Sequence, residues 1–268
     1  MRGLTGRMAP LRSARDRRLD WRELGLTGAA AVVLYLLWHT PLAFPLRYFS
    51  VLVHECSHAI AGILTGGAVD RIVLNQHEGG LTFIHGGIPV IFGSAGYLGS
   101  ILFGCLCLYL SRNRRHADLF CMGIGLSLAA MTLLFASPLG DLFGFVYGAA
   151  AGMLIALVGW KVRTIAPYFL KFLGVAVCLF GFQDIQSTLF SSGAALAHSD
   201  AGILAHSTGI PAILWALSWL AFSTVMFAVF AYLSSTSPRS IRRPGSLPTI
   251  RSGLTPAKAV ARDFSRIR

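Results

Sequence analysis

The feature that most constrains this chain is a series of apolar stretches, each about twenty residues long, that follow one another along most of the sequence. A bilayer has a hydrocarbon core about 30 Å thick, and a helix needs roughly 20 apolar residues to cross it. Stretches of this kind occur at 24–46, 47–65, 88–110, 118–136, 142–160, 167–190 and 210–233. The sequence therefore predicts an all-α polytopic membrane protein with about six to seven transmembrane helices.

Composition excludes an ordinary soluble domain. Charged residues make up 13% of the 268 residues and hydrophobic residues 54%. In a soluble domain Asp, Glu, Lys and Arg together form about a quarter of the chain. We therefore expect a multi-pass integral membrane protein, surrounded by the lipid bilayer of the cell membrane.

Basic residues are concentrated at the two ends of the chain. The formal net charge is +12, and of the 23 Lys and Arg seven lie in residues 1–22 and eight in residues 234–268. Basic segments that flank a membrane domain favour the anionic cytoplasmic face of a bilayer rather than nucleic acid. We therefore expect no nucleic-acid partner. We also expect the chain to be divided into three regions. These are a basic cytoplasmic tail at 1–23, a membrane domain at 24–233 and a basic, disordered tail at 234–268.

Short basic links predict which helix ends face the cytoplasm. The links at 112–115 and 161–163 carry Arg and Lys and should lie on the same side as the C-terminal tail. If the N-terminal tail is also cytoplasmic, the number of crossings must be even. One of the first two or three apolar segments is therefore expected not to cross fully. Pro41 and Pro45 predict a break or kink in the first of them.

A polar segment follows the second apolar stretch. Residues 66–87 contain two short β-rich runs, 69–74 and 81–84, on either side of Glu78-Gly79-Gly80. This pattern predicts a small β-hairpin. Backbone of this kind is tolerated at membrane depth only when it is buried in protein or lines a wet cavity.

Three glycines at four-residue spacing predict close helix packing. Gly144, Gly148 and Gly152 form a stripe of small residues on one face of a predicted helix. Such a stripe lets a second helix approach closely. The partner helix can belong to the same chain or to a second copy in a homo-oligomer.

One apolar helix carries three polar residues in a pattern with known chemistry. Within YFSVLVHECSHAIAGILT, residues 48–65, His54, Glu55 and His58 form HExxH. Imidazoles at positions i and i+4 share a helix face, where both can bind one Zn²⁺. Glu55 is then placed to act as the catalytic base toward a water activated by the metal. A carboxylate in a membrane helix costs roughly 2.5 to 3.5 kcal/mol, so a bound cation is a suitable partner for it.

A hydrolytic zinc site has three protein ligands and one open position, so a third ligand must come from elsewhere. Asp184 has the most apolar surroundings and is our first choice, because an unpaired carboxylate there would be costly. Asp200 is the second choice, although it also resembles the N-cap of a short helix at the membrane surface. Asp141 is more typical of a helix N-cap than of a ligand. His198 and His206 remain open as further candidates.

At these residues the chain resembles the site-2-protease class of intramembrane zinc metallopeptidases, and within it the compact M50B-like branch. The resemblance covers about residues 47–233. It rests on the β-like stretch after the HExxH helix and on three sequences: HECSHAIAGILTGG at 54–67, GSAGYLGS at 93–100 and SDAGILAHSTGIPAILWALSWL at 199–220.

The resemblance implies a multi-span membrane fold and a specific site. Zinc would be bound by His54, His58 and an aspartate from a later helix, and Glu55 would be the catalytic base. Better-studied members of the class carry the third ligand in an Asn-Pro and Asp-Gly pattern, which is absent here. The assignment of the family's third ligand position to Asp184 therefore rests only on its place in the sequence and its apolar surroundings.

These features predict a zinc-dependent metalloendopeptidase that hydrolyses a peptide bond of a membrane protein substrate. A helical substrate must unwind before attack, and its extended segment could pair with an edge of the hairpin. Two alternatives remain open. One is a non-catalytic membrane scaffold or chaperone that keeps the metal site. The other is a metal or proton transporter that uses the same ionisable residues.

Overall fold

Helices dominate the described structure, as the apolar stretches predict. The computed structural model describes residues 17–75, 78–113 and 116–238. The helices are α1 (Trp21–Leu37), α2 (Phe44–Leu64), α3 (Pro89–Leu110), α4 (Ala117–Phe135), α5 (Leu142–Lys161), α6 (Ala166–Phe190), α7 (Gly193–Ala197), α8 (Asp200–Thr208) and α9 (Ala212–Ser235). The strands are β1 (Arg17–Leu19), β2 (Ala68–Leu74), β3 (Gly80–His85) and β4 (Thr236–Pro238).

Residues 19–237 form one compact unit. Of the residues outside it, the structure describes only Arg17, Arg18 and Pro238, in the outer parts of β1 and β4. Most of the two predicted basic tails, at 1–16 and 239–268, therefore lies outside the described residues.

Five of the described helices are long and apolar enough to cross a bilayer, namely α3, α4, α5, α6 and α9. They coincide with the last five predicted spans to within a few residues. Together with the small sheet after α2, they confirm the predicted all-α polytopic class and its β-hairpin.

The direction of α6 relative to α3 follows from two contacts. The hydroxyl of Tyr97 near the start of α3 lies 2.8 Å from Thr188 Oγ1 near the end of α6. Farther along α3, the main-chain oxygen of Ile101 is 3.8 Å from the sulfur of Cys178. Later residues of α3 thus meet earlier residues of α6, and the two helices are antiparallel.

Helix α1 runs parallel to α6. Glu23 in the first turn of α1 forms an ion pair with Lys171 near the start of α6. At the other end, the ring of Trp38 lies 6.4 Å from that of Phe180. Because α6 is antiparallel to α3, α1 is antiparallel to α3 as well.

Helix α2 is also antiparallel to α3. The Phe49 and Phe103 rings are 6.1 Å apart, whereas His58, farther along α2, lies 2.6 Å from the main-chain oxygen of Phe92 at the start of α3. Helices α1 and α2 therefore run in the same direction, although they are consecutive in the chain.

Helices α1 and α2 therefore follow one another in the same direction on either side of a break. The break at 38–43 contains a 3₁₀ turn at Pro41–Ala43, and Pro45 lies in the first turn of α2, where a missing amide proton is tolerated. By length and composition, five described helices could cross a membrane, and neither α1 nor α2 is among them. An even number of crossings, with α1 and α2 counted as one, stays a prediction.

Several charged residues meet at one end of the helices, which we call the basic end. The main-chain nitrogen of Asp20 donates to the oxygen of Ser235 at 2.6 Å, which joins the start of α1 to the end of α9. The guanidinium of Arg112, just after α3, donates to the main-chain oxygen of Leu233. The link after α3 therefore lies on the same side as the end of α9, as its charge predicts.

The predicted hairpin is present and packs against α2. Strands β2 and β3 are antiparallel, with Ile72 opposite Thr82 and Leu74 opposite Gly80. Ile72 and Leu74 are buried, so the face that they share with Thr82 and Gly80 is turned toward the helices. The connection at residues 76–77 lies outside the described residues.

The glycine stripe of α5 packs against α4 within the same chain. A β-carbon on Gly152 would lie 2.7 Å from the nitrogen of Ala129 and from the oxygen of Gly125. The two backbones are therefore in direct contact, and a side chain does not fit between them. This interface uses the stripe internally.

We predict that Gly152→Ala destabilises the protein, because the added methyl group forces α4 and α5 apart. Overpacking of this kind costs about 1–3 kcal/mol, which should lower the midpoint of thermal unfolding in detergent by about 2 °C or more. Gly123→Ala is the matched control, since a β-carbon at this position of α4 meets no atom within 4 Å. Equal unfolding midpoints for the two variants would contradict the proposed packing.

Candidate metal centre

The HExxH residues lie on α2 and are buried among the packed helices. His54, Glu55 and His58 are all buried, with relative exposures of 8%, 5% and 7%. The two imidazoles are one helical turn apart, and their ring centroids are separated by 4.7 Å. Residues 48–64 form a continuous helix, as expected from their apolar sequence. The predicted side-by-side arrangement of the two histidines is therefore present.

Asp200 faces both histidines. Its Oδ2 lies 3.1 Å from Nε2 of His54 and 3.3 Å from Nε2 of His58. The N-cap of α8 is Ser199, whose hydroxyl accepts from the nitrogen of Gly202 at 3.2 Å. The interpretation of Asp200 as that N-cap is thus wrong, because the preceding serine caps the helix and leaves the carboxylate free to face the imidazoles.

The Nδ1 atoms of the two imidazoles, unlike the Nε2 atoms that face Asp200, have different surroundings. Nδ1 of His58 lies 2.6 Å from the main-chain oxygen of Phe92, so this nitrogen donates its proton to that oxygen and Nε2 faces Asp200. Among the described residues, Nδ1 of His54 is buried and has no hydrogen-bond partner. Oδ2 of Asp184 is 3.7 Å from this nitrogen, longer than a hydrogen bond.

The start of α3 forms a flat wall beside the imidazoles. A β-carbon on Gly96 would lie 2.6 Å from Cε1 of His54 and closer still to Nε2 of both histidines. Tyr97 is edge-on to His54, with ring centroids 5.1 Å apart, and stacks on Trp219 of α9. The glycine leaves space at the Nε2 atoms, and the aromatic rings fix the orientation of His54.

Glu55 points toward the hairpin. Thr82 on β3 donates a hydrogen bond from Oγ1 to Oε2 of Glu55 at 2.6 Å. Gly80, two residues earlier on the same face of the strand, lies so close that a β-carbon there would be 2.5 Å from Cγ of Glu55. The carboxylate is therefore enclosed between α2 and β3.

A cavity of about 420 Å³ opens at these residues. One wall consists of β3 and the residues before it, including Gly79 and Leu81. The end of α6 and the following segment also line the cavity, with Ser187, Ser191 and His198. His54, Glu55, His58, Asp184 and Asp200 all line this space.

Charge in the centre is balanced by the imidazoles. Burial raises the pKa of Asp200, but the nearby imidazoles of His58 and His54 more than offset that effect and hold it well below its ordinary value. His54, His58 and Asp200 offer ligand atoms that all lie within 4.8 Å of one another, a group able to hold a metal ion.

The remaining candidate ligands lie elsewhere or play other parts. Asp141 is the N-cap of α5 and also accepts from the nitrogen of Leu74 at 2.6 Å, so its expected capping role is confirmed. His198 lines the cavity, and His206 is exposed in the last turn of α8.

Sequence reasoning missed two residues of this centre. Gly96 lies in GSAGYLGS, a stretch that carried part of the family resemblance, but its contact with the imidazoles could not be inferred from that resemblance. Thr82 is a single threonine in a strand, and no spacing rule connects it to Glu55. The polarity of the hairpin at membrane depth was the available signal, since such backbone must be buried in protein or line a cavity.

Comparison with known proteins identifies one family. The family model described as Peptidase M50B-like matches residues 27–230, which contain the HExxH helix, the hairpin and Asp200. Comparisons with curated proteins and with solved structures gave no match. The match and the five apolar helices together indicate an integral membrane protein. Because the match spans most of the sequence, the chain belongs to the Peptidase M50B-like family.

Proposed function

We propose that this protein is a zinc-dependent intramembrane endopeptidase. The observation that carries the proposal is the convergence of His54, His58 and Asp200, from two separate helices, beside the carboxylate of Glu55. Two imidazoles and a carboxylate form a ligand set typical of catalytic zinc, and a fourth position is left for water or substrate.

The spacing of the donor atoms fits zinc. A tetrahedral site with metal–ligand bonds of about 2.0–2.1 Å separates its ligand atoms by about 3.3 Å. The Oδ2 atom of Asp200 lies 3.1 Å and 3.3 Å from the two Nε2 atoms. The space at the Nε2 atoms beside Gly96 is also one that a β-carbon would fill.

We assign the third ligand position to Asp200 and a supporting role to Asp184. Asp184 faces Nδ1 of His54, on the side of the ring away from Asp200. Histidines that bind a metal through one nitrogen commonly donate the proton of the other to a carboxylate, which fixes the ring orientation. Asp184 is thus placed to accept from the otherwise unpartnered Nδ1 of His54.

In this mechanism the protein binds the substrate and moves protons. Zinc, when bound, supplies Lewis-acid chemistry that polarises a peptide carbonyl and acidifies water. Glu55 accepts a proton from the attacking water at Oε1, the oxygen that Thr82 does not occupy. The water oxygen bonds to the carbonyl carbon, the C–N bond breaks, and Glu55 passes the proton to the departing amine.

We propose that the substrate is an extended segment of a membrane protein. In the described chain β3 pairs with β2 on one side only, and residues 79–82 line the cavity. A free strand edge offers main-chain donors and acceptors to an unwound segment. Ser187 and Ser191 also line the cavity, and their hydroxyl oxygens can accept hydrogen bonds from such a segment, since their protons go to main-chain oxygens of α6.

We propose that the basic end faces the cytoplasm of a cell membrane, because cytoplasmic loops carry an excess of Lys and Arg. The metal centre lies in the other half of the membrane domain. Gly96 is in the first half of α3 and Asp184 in the last two turns of α6, and both helices have these parts away from the basic end. Cleavage is then expected in the membrane half remote from the cytoplasm.

The assignment of the third ligand can be tested by metal content. Asp200→Asn removes a ligand carboxylate and should weaken zinc binding by about 100-fold or more. Asp184→Asn keeps an oxygen that can accept from His54, so zinc binding should fall by less than about 10-fold. Zinc in the purified variants is measured by mass spectrometry after titration with a chelator. The reverse order of the two variants would make Asp184 the ligand.

Gly96→Ala should also abolish metal binding. The new methyl group would occupy the space at the two Nε2 atoms, and zinc affinity should fall by about 100-fold or more. Gly123→Ala on α4 is the control, because a β-carbon there meets no atom within 4 Å. Zinc binding of wild-type strength in Gly96→Ala would rule out the proposed metal position.

Glu55→Gln should retain zinc and lose hydrolysis. A general base contributes about 10²–10⁴-fold to the rate, and glutamine cannot accept the proton. The assay uses a library of internally quenched transmembrane peptides in proteoliposomes, with cleavage followed by fluorescence and mass spectrometry. Equal cleavage by wild type and Glu55→Gln, or no cleavage of any peptide by the zinc-loaded wild type, would overturn the peptidase proposal and favour a scaffold.

A further inference from the structure

Thr82 contacts Glu55 at two atoms. Its Oγ1 lies 2.6 Å from the side-chain Oε2 and 3.1 Å from the main-chain oxygen of Glu55. A threonine hydroxyl has one proton to donate, and the shorter contact, to Oε2, is the better hydrogen bond. Oε2 of Glu55 is therefore held by a donor from the hairpin.

The backbone of β3 restricts the other side of the same carboxylate. A β-carbon on Gly80 would lie 2.6 Å from Oε1 and 2.7 Å from Cδ of Glu55. Residues 80 and 82 of a strand point to the same face. The strand thus contacts Glu55 with its backbone at Gly80 and with a hydroxyl group at Thr82. These two contacts leave few alternative rotamers for the Glu55 side chain.

The hairpin is itself fixed to the helices at two further points. Glu78, before β3, forms an ion pair with Arg47 of α2 with a nitrogen–oxygen distance of 2.8 Å. At the end of β2, the nitrogen of Leu74 donates to Asp141 of α5 at 2.6 Å. The position of Thr82 is therefore set by contacts that do not involve Glu55.

We infer that Thr82 is a positioning residue for the catalytic base, so that the hairpin completes the active site as well as offering an edge to the substrate. This inference rests on the proposed peptidase function. The inner face of β3 orients Glu55, while the outer edge of β3 is free to pair with an extended segment. One strand then sets the position of both the base and the scissile bond.

Thr82→Val removes the hydroxyl and keeps the shape of the side chain. We expect kcat for a quenched transmembrane peptide, selected with the wild type in proteoliposomes, to fall about 10–100-fold, because Glu55 is no longer held. KM should change by less than about 2-fold, since the strand edge is unaltered. Thr82→Ser keeps the donor and should remain within about 3-fold of the wild-type kcat. Thr132→Val on α4 controls for the loss of a buried hydroxyl that bonds only its own helix.

A second measurement does not depend on activity. In metal-free protein, Thr82→Val should lower the midpoint of thermal unfolding by about 3 °C or more, and by less than about 1 °C in a Glu55→Ala background, because the bond is already lost there. If the wild type cleaves no peptide, this comparison still decides whether the two residues interact. Equal losses in both backgrounds, wild-type kcat in Thr82→Val, or a Thr82→Ser variant as slow as Thr82→Val would overturn the inference.

Discussion

The structure depends on how three polar side chains are satisfied inside an apolar helix. His54, Glu55 and His58 are buried on α2, where unpaired polar groups are costly. Their partners lie on other elements: Asp200 on α8 faces both imidazoles, and Thr82 on β3 bonds the glutamate. The start of α3 adds an acceptor for His58. Elements far apart in sequence are therefore brought together around one turn of one helix.

The sequence predicts the features whose causes are local. The i, i+4 spacing of His54 and His58 places both on one face as soon as the segment is helical, and the prolines at 41 and 45 mark the break between α1 and α2. The glycine stripe on α5 predicts close packing, but its partner α4 is known only from the structure. Residue spacing predicts which side chains share a face of a helix, but it does not predict which element packs against that face.

Local sequence does not distinguish between the two candidates for the third ligand. Asp184 and Asp200 are both carboxylates in apolar sequence, and both lie near His54, but on opposite sides of its ring. Which one faces the shared Nε2 side depends on how α8 packs against the start of α3, a contact between residues more than a hundred positions apart. Ser199 and Asp200 are equally good N-caps by residue type. The choice of Ser199 as cap is therefore also a consequence of tertiary packing.

The break between α1 and α2 explains how a hairpin can lie beside Glu55 among membrane-length helices. A helix end inside the bilayer leaves carbonyl groups without partners, which is costly unless protein groups satisfy them. Arg47 of α2 does this at the break, because its guanidinium donates to the main-chain oxygen of Trp38 at the end of α1. The same guanidinium pairs with Glu78 beside the hairpin. One buried cation thus satisfies the end of α1 and anchors the segment that leads into β3. The break between α1 and α2 and the placement of the strand beside Glu55 therefore depend on the same side chain.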